Sequence, residues 1–506
     1  MKTKRAFYNS LAGLSYYFVT IFLTLFNQKI LIDTLGIDYQ GVNGLFSNVL
    51  SMLSIAELGI GTAIIYHLYR PLSEGDEETV IALMQFYRKC YCVIAFVILA
   101  LGLLIMPFLG MIVTTNTTSY SLNIIYGFFL LDAVVSYLFT YKRSILIADQ
   151  RNYVVIICDI FYQCGVKLGQ VVILWVTHNF LLYLSLLVTG RVLENLLINH
   201  ISNRRYPFLK NKNDFSLSKD ILIDISKKVR GAVFHKIGAF VVLGTDNILI
   251  SRFLGLTIVG IYSNYYLITN AIKSICSRVL SAATAGVGQL LVEKDEKKIY
   301  MVFSEMQILN GALLVCATTG IYCAITPAIV FVFGKKYVVE ELTVFVLAFN
   351  FYIQGMRTVY NMFKETAGVM YEDRYVPIIE SIINISASLV FLYYFGLAGV
   401  LLGTITSSLV LYAYTYPILV YSKILKRPIS EYVKELLWIT AVVLLSMLLS
   451  KQICVSCFYE KTLTQLLFNS SISIVVSVSS FVFLYAIWKK ETGNLLIRIK
   501  KIFKNR

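Results

Sequence analysis

The run CYCVIAFVILALGLLIMPFLGMIV (90–113) contains no charged residue and is long enough to cross a lipid bilayer as one helix. A spanning helix needs about 20 mostly apolar residues. The rest of the 506-residue chain has the same character, with 58% hydrophobic residues, 15% charged residues and a mean hydropathy of +0.72. The sequence therefore predicts a polytopic membrane protein that acts within or across the bilayer.

Fourteen such runs occur, and their apolar residues are continuous rather than alternating. Continuous runs are typical of membrane helices, whereas strands of a membrane barrel alternate. The expected fold is all-α, with about fourteen transmembrane helices. The predicted spans are 8–31, 42–67, 90–113, 119–140, 153–175, 179–201, 230–251, 257–281, 302–333, 341–363, 376–394, 396–422, 432–450 and 465–488.

The net charge of +16 is distributed unevenly between the two sides of this predicted bundle. With the N-terminus inside, nearly all loop lysines and arginines fall on one side. Positive charge accumulates on the cytoplasmic side of membrane proteins, so both termini are predicted to be cytoplasmic. The loop charges are explained by topology and by anionic membrane lipids, and nucleic acid is not expected as a partner. The outer side holds only Arg252, Lys335, Lys336, Lys451 and Lys461.

A polar interval, 202–229, divides the predicted helices into two groups. We interpret it as a cytoplasmic loop that connects a six-helix bundle at 1–201 to a second six-helix bundle at 230–422. The segment 423–506 then contributes two additional helices and a basic cytoplasmic tail.

An internal repeat supports this division. A shift of 219 residues brings LGIDYQGV (35–42) onto LGLTIVGI (254–261), and the same shift brings EGDEE (74–78) onto EKDEK (293–297). Six helices per half make both halves enter the membrane from the same side, which predicts a parallel repeat about an axis along the membrane normal. Such bundles move substrates by alternating access to a shared cleft.

Three segments carry a family resemblance. NSLAGLSYYFVTIFLTLFNQKILIDTLG (9–36) and AELGIGTAIIYHLY (56–69) resemble the first two helices of bacterial polysaccharide flippases, and TDNILISRFLGLTIVGIYSNYYLI (245–268) resembles the start of their second half. These are the Wzx-type flippases of O-antigen and capsule synthesis. They belong to the MOP superfamily, which also holds MATE exporters and lipid II flippases.

The resemblance covers nearly the whole chain, with motifs that are patterned apolar segments. It implies a MATE-like fold and a lipid-linked oligosaccharide on an undecaprenyl diphosphate carrier as cargo. The cargo would move from the inner to the outer leaflet of the bacterial cytoplasmic membrane. A polymerase and a chain-length regulator are implied as partners.

Cations within the predicted spans are the first candidate site residues, because a charged group at membrane depth costs about 2.5–3.5 kcal/mol on insertion scales. A diphosphate headgroup would suit them, since Lys and Arg bind phosphate oxygens. Local pairing remains an alternative explanation: Lys29 with Asp33, Arg191 with Glu194, and Lys167 with a carboxylate on a neighbouring helix. The candidate substrate-binding residues are Arg191, Lys273, Lys236, Arg357, Lys167 and Lys29.

Polar residues Glu57, Asp246 and Asn247 form a second candidate set, either lining a polar cavity or coupling transport to protons or sodium. Packing between helices is the competing explanation. The pair Asn27-Gln28 occupies the equivalent repeat position to Asp246-Asn247. Asp132, Asp159 and Glu305 are weaker candidates of the same kind.

Cys454 and Cys457 lie in a predicted outer loop, where they could form a disulfide or bind a metal. No second pair accompanies them, and no cofactor or metal is expected.

Two other functions remain open. A MATE-type exporter of small cations predicts an acidic rather than a basic cavity. A membrane polysaccharide polymerase or glycosyltransferase needs catalytic groups at a loop face, but the predicted outer loops are short. The sequence contains no Walker motif, so direct ATP hydrolysis is not expected. We therefore expect a transporter rather than an enzyme.

Overall fold

A computed structural model describes residues 2–53, 57, 60–113, 119–210, 215, 217–281, 283–293, 295–369, 372–456 and 462–486. Within these ranges the chain is helical and contains no β-strand, so the predicted all-α class is confirmed. The chain divides into two compact units, Met1–Gly260 and Ile261–Arg506. The predicted bundle boundaries at 201, 229 and 422 stay predictions.

The first unit is built from α1 to α9 and the first turn of α10. Its helices are α1 (Lys2–Leu35), α2 (Ile37–Leu53), α3 (Ile60–Glu74), α4 (Glu77–Ile105), α5 (Leu109–Ile112), α6 (Leu122–Ala148), α7 (Asn152–Thr177), α8 (Phe180–Arg205) and α9 (Lys219–Leu254). Short 3₁₀ turns follow α4 at Met106–Phe108 and α8 at Pro207–Lys210.

The second unit contains the remaining helices and a π-helix. They are α10 (Leu256–Ser281), α11 (Thr284–Glu293), α12 (Glu296–Val332), α13 (Glu341–Thr366), α14 (Val376–Val410), the π-helix Leu411–Ile424, α15 (Ile429–Ser456) and α16 (Thr462–Ala486). A 3₁₀ turn at Lys335–Tyr337 connects α12 to α13.

Ten helical stretches among the described residues are long and apolar enough to cross a membrane. One of them, Val376–Ile424, contains two of the predicted spans. The predicted spans 230–251 and 257–281 are helical, as α9 and α10, but are not among the ten. Lys273 lowers the mean hydropathy of the span 257–281, and most side chains of the span 230–251 lie outside the described residues.

The single span predicted at 42–67 is only partly described, because residues 54–56, 58 and 59 lie outside the described residues. The structure has α2, which ends at Leu53, and α3, which begins at Ile60. Gly61 lies in the first turn of α3. A Cβ atom at Gly61 would come within 3.0 Å of the side chain of Glu57 and of two tyrosine hydroxyls, so this position has no room for a larger residue.

The close pair of spans predicted at 376–394 and 396–422 is confirmed. Gly396 has φ of 54° and ψ of −128° and interrupts the helix between them. The two segments then pack tightly, because a Cβ atom at Gly399 would overlap the backbone of Phe391, and one at Gly403 would overlap Ser388. Small residues let membrane helices approach this closely.

Buried polar residues connect helices of the first unit. Asn27 on α1 donates to the backbone carbonyl of Lys167 on α7 at 3.2 Å and accepts from the hydroxyl of Tyr183 on α8 at 2.8 Å. Asn27 is 1% exposed. These hydrogen bonds fix α7 against α1 and α8 at the position of Lys167.

The last two helices pack against the core of the second unit. Tyr432 on α15 donates to the carbonyl of Tyr412 at 2.9 Å, and Tyr421 donates to the carboxylate of Glu435 at 2.5 Å. On α16, Asn469 donates to the carbonyl of Cys323 on α12 at 2.8 Å. Both helices are therefore integral to the second unit.

Equivalent helix starts recur at the predicted repeat spacing. Asp76 precedes α4 and accepts from the amide of Thr79 at 3.0 Å, while Asp295 precedes α12 and accepts from the amide of Lys298 at 3.1 Å. These bonds favour the ionised carboxylates and lower the pKa of both aspartates. An aspartate N-cap is thus present at the same place in each half.

Candidate functional site

A network of ion pairs lies inside the first unit. Arg191 on α8 contacts Asp132 on α6 at 3.1 Å and Glu194, one turn away, at 2.9 Å. The other oxygen of Glu194 contacts Arg143 at 2.6 Å, and Arg143 also binds Asp159 on α7 at 2.8 Å. The side chain of Glu194 is 1% exposed. Two guanidinium groups therefore share three carboxylates.

Arg191 is held further by an aromatic ring. Its guanidinium carbon lies 4.5 Å from the centroid of the Tyr162 ring. Together with the pairs to Asp132 and Glu194, this contact occupies the guanidinium on several sides. The local pairing considered for Arg191 is present, and it extends to neighbouring helices.

Lys167 lines a cavity of about 370 Å³ in the first unit. The wall combines polar residues such as Asp132, Gln170 and Asn43 with apolar ones such as Phe129 and Leu187. Lys167 lies within electrostatic range of Asp132. It forms no ion pair within 4.0 Å in the described part of the chain.

A second cluster of ionisable residues lies in the second unit. Arg357 on α13 binds the carboxylate of Glu380 on α14 with both terminal nitrogens, at 2.7 and 3.3 Å. It also donates to Gln354 at 3.0 Å and to the hydroxyl of Ser408 at 3.4 Å. The side chain of Glu380 is 5% exposed.

Lys273 on α10 lies within electrostatic range of Arg357. No described carboxylate lies within 4.0 Å of its ammonium group. This cluster therefore has two cations for one carboxylate, Glu380, and its formal charge is positive. An excess of buried positive charge is the local condition that favours an anionic ligand.

Glu57 has a tyrosine partner rather than a cation. The hydroxyl of Tyr91 donates to its carboxylate at 2.6 Å. The hydroxyl of Tyr87 contacts that of Tyr91 at 3.4 Å and accepts from Ser144 at 2.8 Å. This chain of hydroxyl groups connects Glu57 on the α2–α3 connection to α4 and α6.

The remaining predicted site residues are dispersed. Lys29 pairs with Asp33 at 2.9 Å and is about two-fifths exposed, as the local alternative proposed. Asp246 and Asn247 are both 7% exposed on α9, and the amide oxygen of Asn247 has no hydrogen-bond partner among described residues. The side chain of Lys236 lies outside the described residues.

The predicted cysteine pair is only partly described. Cys454 is buried near the end of α15, whereas Cys457 lies outside the described residues. Among the described residues no group of three or more His, Cys, Asp or Glu side chains could hold a metal ion.

Two charged partners were missed by sequence reasoning. Arg143 was assigned to an inner loop because the predicted span ended at 140, but α6 continues to Ala148. Glu380 lies within the predicted span 376–394. It could have been found as the cations were, because a charged group at membrane depth is energetically unfavourable. Neither ion pair is visible in the sequence, because the partners are far apart along the chain.

Comparison with solved structures identifies the fold. The lipid II flippase MurJ in an inward closed conformation matches with a TM-score of 0.63 and 14% identity, covering 95% of this chain and 98% of MurJ. The chain has the fold of the MOP-superfamily transporters. An inward-facing multidrug resistance MATE transporter matches with a TM-score of 0.59 and 13% identity, covering 80% of this chain and 96% of the transporter.

A third MOP-superfamily transporter, from Pyrococcus furiosus, matches with a TM-score of 0.54 and 14% identity. That match covers 82% of this chain and 95% of the other. No protein-family model matches the sequence, and no curated protein matches it. At such low sequence identity, these matches show a shared fold.

Proposed function

We propose that the protein is a flippase for lipid-linked oligosaccharides with a diphosphate headgroup, which it moves to the outer leaflet for surface polysaccharide synthesis. The cargo is the undecaprenyl diphosphate-linked repeat unit implied by the resemblance to Wzx-type flippases. Transport proceeds by alternating access in the bacterial cytoplasmic membrane, and the protein is not an enzyme.

The observation that carries the proposal is the extent of the structural match. The MurJ match covers 95% of this chain, whereas the MATE match covers 80%. The difference is comparable to the segment 423–506, which holds α15 and α16. A flippase of a lipid-linked saccharide precursor therefore accounts for more of this chain than a drug exporter does.

The charge of the second-unit cluster supports an anionic cargo. Glu380 pairs with Arg357, whereas Lys273 has no ion-pair partner among the described residues, so a diphosphate could approach without displacing a partner of Lys273. Arg191 is a weaker choice than the sequence suggested, because Asp132 and Glu194 already bind it. We assign headgroup contact to Lys273, with Arg357 beside it, and sugar or headgroup contact to Lys167 at its polar cavity.

The test is a leaflet-accessibility assay in proteoliposomes. A fluorescent undecaprenyl diphosphate-linked saccharide is incorporated, and a membrane-impermeant glycosidase or reductant reports the fraction that has crossed. We expect Lys273→Met to reduce flipping about ten- to a hundredfold, since a hydrogen bond to a charged group contributes about 1.5–3 kcal/mol. Lys335→Met is the matched control, because Lys335 is exposed in a loop.

Other outcomes distinguish the alternatives. Efflux of a lipophilic cation dye, with no movement of the labelled glycolipid, would replace the proposal with a MATE-type exporter. Lengthening of the saccharide, detected by mass spectrometry, would indicate a polymerase. Equal flipping rates for wild type and Lys273→Met would support the flippase function but reject Lys273 as a headgroup contact.

A further inference from the structure

A buried cation near the predicted cytoplasmic end of α6 belongs to neither of the clusters described above. Lys142 is 6% exposed, and its ammonium group donates to the amide oxygen of Asn203 on α8 at 2.6 Å. Among the described residues, no carboxylate lies within 4.0 Å of this ammonium group. An ammonium group has three N–H donors, so two of them have no acceptor in the described part of the chain.

A second cation lies beside Lys142, on α4. Arg88 is exposed, and it lies within electrostatic range of both Lys142 and Tyr141. The adjacent Tyr87 accepts a hydrogen bond from Ser144 of α6 at 2.8 Å, which fixes this part of α4 against α6. Arg88 forms no ion pair within 4.0 Å with any described residue. Two cations therefore meet at the α4–α6 contact without a described carboxylate between them.

Neutral amides on α8 complete the polar group around Lys142. Asn203 accepts from Lys142 and donates to the side-chain oxygen of Asn199, one turn away, at 3.2 Å. An amide can accept a hydrogen bond from the ammonium group, but it supplies no negative charge. Burying a charge is unfavourable unless it is paired, and an anion with several oxygens would both pair with Lys142 and accept from its remaining donors.

The side chains that lie deeper in the membrane on the same three helices are apolar and exposed. They are Cys92 and Phe96 on α4, Leu138 on α6 and Leu196 on α8. Each is three or four residues from Arg88, Lys142 or Asn199, or from the next residue on that face, so it continues the same helix face. All three helices are long and apolar enough to span a membrane. The cations therefore lie at the inner end of an apolar surface, on the side that the charge distribution predicts to be cytoplasmic.

We propose that Arg88 and Lys142 bind the phosphate of an anionic phospholipid from the cytoplasmic leaflet, whose acyl chains lie along the exposed apolar faces of α4, α6 and α8. Basic sites between helices on the cytoplasmic side are suited to anionic headgroups. The phosphate oxygens accept from the guanidinium group of Arg88 and from the remaining donors of Lys142. The bound lipid stabilises the packing of the three helices. The site uses none of the residues assigned to cargo, so it does not depend on the proposed transport function.

The first test measures bound lipid by native mass spectrometry. The purified full-length protein is delipidated and then mixed with equal amounts of phosphatidylglycerol and phosphatidylcholine that have the same acyl chains. We expect wild type to bind phosphatidylglycerol preferentially. Lys142→Met and Arg88→Gln should each weaken that binding about tenfold, the loss expected for one hydrogen bond between charged groups. Unchanged binding in both variants, or no preference in wild type, would overturn the proposal.

Lys89→Gln is the matched control. Lys89 is exposed and adjacent to Arg88, but it points about 100° away around the helix. The substitution removes the same charge from the same level of α4, so binding of phosphatidylglycerol should not change. If Lys89→Gln and Arg88→Gln lose binding equally, the attraction is one of general surface charge and the site is rejected.

The second test is thermal unfolding with and without added lipid, because a ligand that binds the folded state raises the unfolding temperature. Phosphatidylglycerol should raise the unfolding temperature of wild type more than phosphatidylcholine does, and Arg88→Gln should abolish the difference. Arg88 is exposed, so its replacement tests the site even if Lys142→Met lowers the stability of the protein. A difference that persists in Arg88→Gln would contradict the proposal.

Two further measurements identify the source of the phosphate. Inorganic phosphate should not displace phosphatidylglycerol from wild type, because it has no acyl chains to contact the apolar faces. Undecaprenyl diphosphate should compete no better than phosphatidylglycerol itself. Displacement by inorganic phosphate would indicate a site for free phosphate. Preferential binding of undecaprenyl diphosphate that is lost in Arg88→Gln would indicate a site for the cargo. Either result would reject a resident phospholipid.

Discussion

The cluster around Arg191 in the first unit and the cluster around Arg357 in the second unit differ in their counter-charge. In the first unit, Arg191, Arg143 and Lys167 lie among the carboxylates of Asp132, Glu194 and Asp159, so the formal charges balance. In the second unit, Glu380 pairs with Arg357, and Lys273 lies within electrostatic range of Arg357. The comparison shows that sequence depth alone does not separate a cation with several carboxylate partners, such as Arg191, from one without an ion pair among the described residues, such as Lys273.

The largest expected effect comes from removing the shared carboxylate of each cluster. Glu194→Gln leaves both Arg143 and Arg191 short of a counter-charge, and breaking a buried ion pair costs about 3–5 kcal/mol. Glu380→Gln affects one arginine, Arg357, which keeps Gln354 and Ser408 as partners. We expect the unfolding temperature of the purified protein to fall further for Glu194→Gln than for Glu380→Gln. A reversed order would contradict the balanced network.

Neutralising the two lysines should have opposite consequences for stability. Lys167→Met unbalances the first cluster and should lower the free energy of unfolding by about 2 kcal/mol. Lys273→Met removes repulsion with Arg357, so stability should be no lower than in wild type, although flipping falls. Denaturant or thermal unfolding measures both. Loss of stability in both variants would mean that Lys273 has a counter-charge after all.

Removing the tyrosine partner of Glu57 should have a smaller effect. Tyr91→Phe deletes the hydroxyl that donates to the carboxylate, and the net contribution of such a bond is about 1 kcal/mol. Tyr393→Phe is the matched control because Tyr393 is 83% exposed. The measurement is thermal unfolding of both variants. Equal unfolding temperatures for the two variants would mean that the hydrogen bond from Tyr91 does not stabilise the carboxylate of Glu57.

The smallest effect concerns the matching N-caps of the two repeats. The lowered pKa of Asp76 and Asp295 means that their ionised forms stabilise the folded state above the unfolded pKa, about 3.9 for Asp. This contribution is lost as pH falls through the lower, folded pKa. Asp76→Asn keeps a capping oxygen but does not titrate. We expect its unfolding temperature to approach that of wild type as pH is lowered from 6 to 3, and Asp295→Asn to behave alike. A difference that grows toward low pH would contradict this.

Much of the fold follows from residue pattern. The apolar runs predicted helices because the bilayer leaves backbone groups no partners outside the helix. The repeat spacing of 219 predicted equivalent helix starts, and Gly36 and Gly255, which are 219 residues apart, have similar φ of 101° and 90°. The break near Gly396 was also predicted, since it separates two apolar runs.

The candidate site was predictable only in part. The sequence selected Arg191, Lys167, Lys273 and Arg357 because charge at membrane depth is costly wherever it occurs. It could not say which of them bind a carboxylate, since Asp132 lies 59 residues from Arg191 and Glu380 lies 23 residues from Arg357.

By itself, the sequence determined that this chain is a bundle of membrane helices in two related halves, because span length and repeat spacing are properties of the chain read in order. Only the tertiary structure decided which cations are neutralised and that the backbone of Leu256 lies so close to Gly41 that a Cβ atom there would overlap it. Ion pairing and close backbone contact depend on distances of a few ångströms between helices. Those distances are set by the packing of side chains around each helix, which no local stretch of sequence encodes.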